Sequence, residues 1–547
     1  MIKFFLSLCF SFPILLIGQG LFNKDQVYTR QDTLRGSITP ERSWWDLKRY
    51  DLEVAVDIPS KQIKGSNTIT YQVLSEFSTM QIDLQRPMQI TKVMQEGIEL
   101  KVVHEGNAHF IKLKKSQKSG ESEKIVVYFE GKPRVARMAP WDGGFSWKTD
   151  ANGRPFIATA NQGIGASLWW PCKDHGYDEP EDGLLLAITV PNDLTAVGNG
   201  RLVKIEESDL EKTFIWEVVN PINNYGVNIN IGDYTNFSEI YNGEAGELKM
   251  DYWVLSKNKR KAKRQFKDAP RTIEAFEYWF GPYPFYEDSY KLVEVPYLGM
   301  EHQSSVTYGN KYKNGYNGRG RESFDWSGTG WGLKWDYIIV HETGHEWFAN
   351  SITAKDNADL WIHETFTTYS ESLFVEYHFG KKAGKEYVIG TRDVIANEAP
   401  IVGDYGVNKE GSSDMYFKGN NILHTLRSIV NDDELWRRTL RSINQEFYHQ
   451  TVTAPEIENF LSKSFGMDLK HFFDQYLRQP SIPTLEYKID GSKISYRWVE
   501  VIENFSMPID VYVDGRSKRV IPETEWKEVS GDSFTIDEDY YIDVVKS

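Results

Sequence analysis

Between residues 45 and 236 apolar and polar positions alternate along the chain. Leu52, Val54, Val56 and Ile58 are separated by Glu53, Ala55 and Asp57, and Val227, Ile229 and Ile231 by Asn228 and Asn230. A period of two puts every second side chain on one face, so the stretch predicts strands with one buried face. The Gly and Asn pairs between the runs predict turns, and together these signals predict an antiparallel β domain. Then the period lengthens. Residues 257–280 carry a helical pattern that stops at Gly281 and Pro282, with a basic run over 257–264 that reads as a solvated face. A strand is expected over 291–295, and residues 310–327, rich in Gly, Asn, Lys and Arg, predict a mobile loop. Helical spacing returns over 364–377, 416–431 and 455–477, where Ile457, Phe460 and Leu461 mark the apolar side. Beyond Pro480 period two comes back in Leu485, Tyr487 and Ile489, then in Ile509, Val511 and Val513 before a turn at Asp514 and Gly515. The expectation is a multidomain α+β protein. Its parts are an N-terminal β domain over 21–244, bounded by the NGEAGE turn at 242–247, a mixed domain over 245–480 and a short C-terminal β domain over 481–547.

A length of 547 residues also calls for several domains. The net charge of −15 argues against a broad nucleic-acid surface, and 17 Trp with 30 Tyr fit large cores and aromatic clefts rather than disorder. Lys3 followed by the apolar run from Phe4 to Ile17 and by Gly18, Gln19 and Gly20 reads as a signal peptide over 1–20. It predicts export to the periplasm or the cell exterior. A membrane anchor is the alternative, but the run is short for a bilayer and holds Pro13. No later run is comparable, so no transmembrane anchor is expected in the mature chain. Of the two cysteines Cys9 would leave with the signal peptide, and Cys172, beside Trp169, Trp170 and Pro171, reads as a small buried hydrophobe.

The chemistry is concentrated in HETGH at 341–345. His341 and His345, four apart, share one helix face and reach one metal ion, while Glu342 stands beside them free to handle a proton. Glu364, nineteen residues beyond His345, supplies a third ligand and leaves a fourth zinc position open to water, the arrangement of a catalytic site. A bare HExxH string arises by accident in roughly one chain of this size in a hundred. Tyr337, Ile338, Val340, Trp347 and Phe348 around it predict a largely buried helix.

Five separated motifs then resemble the gluzincin zinc aminopeptidases. HETGHEWFAN (341–350) resembles that family's zinc helix, with Ala349 at a usual Gly, and WIHETF (361–366) its third-ligand motif. YLGMEH (297–302) is similar to its GxMEN signature, MYFKG (415–419) to the segment of its catalytic tyrosine, and NQGIGASLWWPCKD (161–174) to its N-terminal substrate loop. The resemblance implies an N-terminal β saddle domain, a thermolysin-like zinc catalytic domain and a short C-terminal β-sandwich domain. It implies one zinc ion on His341, His345 and Glu364, with Glu342 as general base and Tyr416 as donor to the oxyanion. Glu301 would capture the free α-ammonium of a peptide, Gln162 would contact the same amine, and Gly299 and Met300 would pair with the peptide backbone as an added strand. Leu298 and His302 depart from the GxMEN pattern. His302 is expected on the substrate side or in packing.

The function so predicted is an exported zinc aminopeptidase acting on peptides with a free N-terminal amine. A thermolysin-like endopeptidase would need only HETGH and Glu364, and a non-catalytic peptide-binding protein could retain the same fold. Those two alternatives remain open at this level.

Overall fold

The computed structural model describes residues 27–547, so the predicted signal peptide lies outside the described residues. Among the described residues no helix is long and apolar enough to cross a membrane.

The N-terminal lobe is built on an eight-stranded sheet. At its centre Trp45–Asp57 pairs antiparallel with Gln62–Val73 and parallel with Leu184–Pro191. Leu52, Val54 and Val56 point into the core while Glu53 and Asp57 face solvent, the alternation the sequence predicts. The run from Val227 to Ile231 departs from it. Asn228 and Asn230 are as fully buried as Ile229 and Ile231; the backbone N–H of Asn228 donates to Asn199 Oδ1 and the side chain of Asn230 donates to the Val197 carbonyl, while the Asn228 amide and Asn230 Oδ1 have no partner. Here the alternation separates two buried faces, the polar one only partly hydrogen-bonded. Cys172 is fully buried in this lobe's core.

The change of sheet falls at Asp233, earlier than the NGEAGE turn. Tyr234–Gly243 and Gly246–Leu255 form a hairpin around that turn and belong to the next, five-stranded sheet. In that sheet Gly246–Leu255 pairs parallel with Tyr290–Glu294, which pairs parallel with Val306–Tyr308, and Gly299–Met300 closes the edge. The turn signal therefore marks a hairpin within one sheet.

Helices cover this sheet. The pattern over 257–280 resolves into Lys259–Gln265 and Asp268–Phe280, and that over 455–477 into Ala454–Phe465 and Lys470–Arg478, the latter pair broken at Gly466 in a left-handed cap. Residues 310–327 are irregular, and contrary to the mobile loop expected much of the stretch is packed, with 319–323 exposed. Tyr312, Tyr316 and Asn317 are buried, and Asn310 donates to Asp336 and to the carbonyls of Lys313 and Gly315. Polar and Gly-rich composition here satisfies buried backbone rather than loosening it. Two small sheets after residue 480, built on Thr484–Asp490 with Lys493–Val499 and on Ile509–Val513 with Arg516–Val520, close the chain. Their apolar faces run into the core of the preceding domain without a break, from Leu485 and Trp498 to Tyr476 and Phe473.

Candidate metal centre

The HETGH segment occupies helix Tyr337–Gly344 with His345 as its C-cap, and Glu364 lies in the first turn of helix Trp361–Phe379. Gly344 lets the two helices meet. A Cβ there would stand 2.6 Å from Ser370 Oγ, so a larger residue would prise the ligands apart. Gly419 does the same for the third helix, Phe417–Val430: its Cβ position is 2.0 Å from Thr365 Oγ1, and this approach delivers Tyr416, at that helix's N-cap, to the site.

Glu364 Oε2 lies 3.4 Å from His345 Nε2 and 3.7 Å from His341 Nε2. Tetrahedral zinc with bonds of about 2.0–2.1 Å holds its ligand atoms roughly 3.3–3.5 Å apart, so a few tenths of an ångström separate this set from a closed coordination shell. The outer ring nitrogens are occupied. His341 Nδ1 bonds Glu371 Oε1 at 2.7 Å, and His345 Nδ1 bonds the Phe348 carbonyl at 3.0 Å, so each Nδ1 carries the proton and each Nε2 turns a lone pair inward. Glu364 Oε2 is buried without a hydrogen-bond partner. An orphaned carboxylate oxygen between two such nitrogens fits a cation.

Charge points the same way. Burial opposes an imidazolium at His345, yet Glu364 and then Glu301 outweigh it and raise its pKa. Burial works to raise Glu364, but His345 and His341 bring its pKa down, with the Tyr416 hydroxyl adding to them. The cavity therefore demands positive charge, which a divalent ion supplies while leaving both imidazoles neutral. Glu301, Glu342 and His345 also lie within metal-binding reach of one another. That second set shares the single free nitrogen of His345, so the two describe one cavity.

The residues expected to meet substrate converge on the same place. Gln162 Nε2 donates to Glu301 Oε1 at 2.7 Å and to Glu364 Oε1 at 3.0 Å, which leaves the amide oxygen of Gln162 unspent. Glu301 is fixed from behind, its carbonyl accepting from Asn350 Nδ2 at 2.8 Å. Met300 and Gly299 form the edge strand, and a Cβ on Gly299 would come within 3.2 Å of Glu342 Oε1. Burial raises the pKa of Glu342, as does Glu301, while the two histidines lower it. The Tyr416 ring stacks beside His341 with centroids 6.2 Å apart. His302 points elsewhere: it is fully buried, burial lowers its pKa to about 3, and its Nδ1 lies 3.3 Å from Thr307 Oγ1. It is a neutral ring outside the two metal-binding sets, with Nε2 buried and unpartnered.

Two members escaped the sequence reading. Glu371 falls seven residues after Glu364, two turns along one helix face, and that spacing was the available signal. Tyr225, whose hydroxyl lies 3.3 Å from Glu301 Oε1, arrives from the N-terminal lobe with no local signal.

Profiles of the peptidase M1 N-terminal domain and of the peptidase family M1 domain match residues 47–225 and 265–476. The chain belongs to peptidase family M1. Among M1 relatives, leucyl aminopeptidase of Saccharolobus solfataricus is 21% identical over 499 residues, covering 86% of this chain and 59% of that protein. Tricorn protease-interacting factor F2 of Thermoplasma volcanium is 25% identical over 391 residues, covering 68% and 45%. The chain thus spans less than two thirds of the length of these relatives. In fold it is similar to an M1 zinc metallopeptidase from Deinococcus radiodurans, solved as a mutant bound to a Tyr-Ser-Ala substrate, with a TM-score of 0.69 at 20% identity over 82% of this chain and 98% of that one.

Proposed function

We propose that this M1 protein is an exported aminopeptidase that holds one zinc ion on His341, His345 and Glu364 and removes N-terminal residues from peptides. Zinc, when bound, supplies Lewis-acid polarisation of the scissile carbonyl and lowers the pKa of water to about 7. The remaining work falls to side chains. Glu342, raised by its buried setting toward the range of a useful base, takes a proton from water and returns it to the leaving amine. Tyr416 donates its hydroxyl to the oxygen that gains charge as the carbonyl turns tetrahedral. Glu301 receives the substrate ammonium, with the free oxygen of Gln162 and the Tyr225 hydroxyl around it, and the buried carboxylate gains the countercharge it lacks. The backbone of the substrate adds to the edge strand Gly299–Met300.

One observation carries the exopeptidase reading: a single amide, that of Gln162, touches both Glu301 and the metal ligand Glu364. An ammonium at Glu301 therefore lies about one residue from the metal, which fixes the cut after the first residue. The test is to block the amine. Free aminoacyl amides and peptides should be hydrolysed by the zinc-loaded protein and their N-acetylated forms left intact; cleavage of acetylated peptides would make it an endopeptidase, and binding without cleavage a receptor. Export rests on the pattern of residues 1–20, and the mass of the mature chain should place its first residue near Gly18 to Gly20.

A further inference from the structure

The two ends of the edge strand Gly299–Met300 carry opposite charge. Glu301 follows it at one end. At the other stands Leu298, whose Cδ2 lies 2.8 Å from a Cβ built on Gly318, and Arg319 and Arg321 come directly after that glycine. This rim is close to the reacting centre. The Tyr316 hydroxyl is 2.8 Å from the same Gly318 position, its ring packs edge-on against Tyr337 at 5.5 Å, and Tyr337 stacks on His341 at 5.4 Å. Burial raises the Tyr316 pKa, Arg319 and Arg321 lower it and Glu342 raises it, so all three charges lie within electrostatic reach of one hydroxyl.

Both guanidiniums lie over aromatic rings instead of against carboxylates. Arg319 is 4.3 Å from the centroid of Trp141, and Arg321 is 3.9 Å from Phe324 and 4.5 Å from Trp326. Glu322, directly after Arg321, pairs with Lys313, and among the described residues neither arginine has a carboxylate partner. A stacked guanidinium keeps its N–H edge free, and that fork matches a carboxylate in two bonds. In a chain of net charge −15, two arginines left unpaired at the rim of a cleft form a receptor for an anion.

The spacing sets the size of that anion's carrier. From Leu298 to Glu301 is three residue steps, roughly 10 Å of extended chain at about 3.3 Å per residue. A peptide laid along the strand with its amine at Glu301 brings the end of its third or fourth residue to the arginines. Resting on the aminopeptidase reading above, we infer that Arg319 and Arg321 bind the C-terminal carboxylate of tri- and tetrapeptides, so that short peptides with both ends free are the preferred substrates.

The experiment compares trialanine with trialanine amide on the zinc-loaded protein. The free acid should be favoured in kcat/KM by about tenfold or more, chiefly through KM, and the preference should shrink as salt is added. In the Arg319→Gln/Arg321→Gln variant the acid-to-amide ratio should fall to near one, and Arg319→Lys/Arg321→Lys should retain part of it. The ratio compares two ligands on one protein, so any loss of folding cancels. Equal rates for acid and amide in the wild type, or an unchanged ratio in the double Gln variant, would overturn the inference. Competition binding of the same pair to zinc-loaded Glu342→Gln separates the two readings. A tenfold binding preference that the Arg→Gln changes erase would uphold the carboxylate receptor even if the wild type cleaved neither peptide, and that failure would fall on the aminopeptidase reading alone.

Discussion

Glu371→Gln should weaken zinc binding without unfolding the protein. The fully buried Glu371 carboxylate accepts from two donors, His341 Nδ1 at 2.7 Å and the Tyr387 hydroxyl at 2.8 Å. Burial opposes positive charge on His341, but Glu371 outweighs it and raises the ring's pKa, making its other nitrogen a stronger donor to a metal. Gln fills the same volume but offers one oxygen where two are used. If that oxygen faces His341, the ring keeps its tautomer and loses only the nearby charge, which sets the low end of the effect. If the amide nitrogen faces the ring, the proton moves to Nε2 and the ligand is lost. Removing such a partner typically costs 10–100-fold in metal affinity, or about 1.4–2.7 kcal/mol. The assay is zinc affinity by competition with a chelator, beside a thermal unfolding curve of the apoprotein. Tyr387→Phe serves as a milder control, since it removes a bond to Glu371 while leaving the charge. Zinc affinity within twofold of wild type in a folded Glu371→Gln protein would refute the claim that this carboxylate sets the ligand's electronics.

Three further outcomes follow from the same geometry. Glu342→Gln should keep stoichiometric zinc by elemental analysis and lose about 10²–10⁴ in turnover; unimpaired hydrolysis would remove Glu342 from the mechanism. Ala349 is buried at φ 144°, a backbone region suited to glycine. Strain at the upper end of its usual range, about 3 kcal/mol, exceeds the combined loss of about 1.8 kcal/mol from extra unfolded-chain entropy and lost methyl burial, so if the strain is that large Ala349→Gly should raise Tm by about a degree in calorimetry, whereas a drop of several degrees would argue against strain. His175 is held neutral because Nε2–H donates to the Gly36 carbonyl and Nδ1 accepts from the Tyr177 backbone, and burial, then Arg42, lower its pKa to about 4. Between pH 6.5 and 4 the unfolded chain therefore binds a proton that the folded one refuses, so stability falls as pH drops. By pH 5 this group alone removes about 2 kcal/mol, and urea midpoints should fall less steeply with pH in His175→Gln; equal slopes would clear His175 of the effect.

The convergence of His341, His345 and Glu364 was legible because helix geometry converts the spacing of the two histidines directly into a shared face, and the family motif around Glu364 pointed to the third position. The strand assignment of Leu52, Val54 and Val56 was legible because one face of that strand meets a core and the other meets water. Where both sides are buried the pattern loses its meaning, as at Asn228 and Asn230. Periodicity also ran through the break at Gly466, since two short helices in succession carry almost the same apolar spacing as one long one. Residues 310–327 misled by composition, because Asn side chains such as Asn310 and Asn317 can satisfy buried backbone as well as solvent. Tyr225 could not be found from spacing at all, as it reaches Glu301 across 76 residues of chain and from another lobe.

The residues proposed to hold the substrate amine straddle a joint. Gln162 and Tyr225 belong to a lobe with its own hydrophobic core, and Glu301 to the other, while the seam between them is sewn by Asn199 donating to the Gln303 carbonyl, Ser304 accepting from Gly200 N–H and Asn223 donating to Asn350. A hybrid made by exchanging the β lobe with that of a relative would inherit an intact metal grip and only half of a receptor. The bonds of Gln162 and Tyr225 to Glu301 are thus a trait that neither lobe can keep by itself, and drift on one side of the seam must be answered on the other.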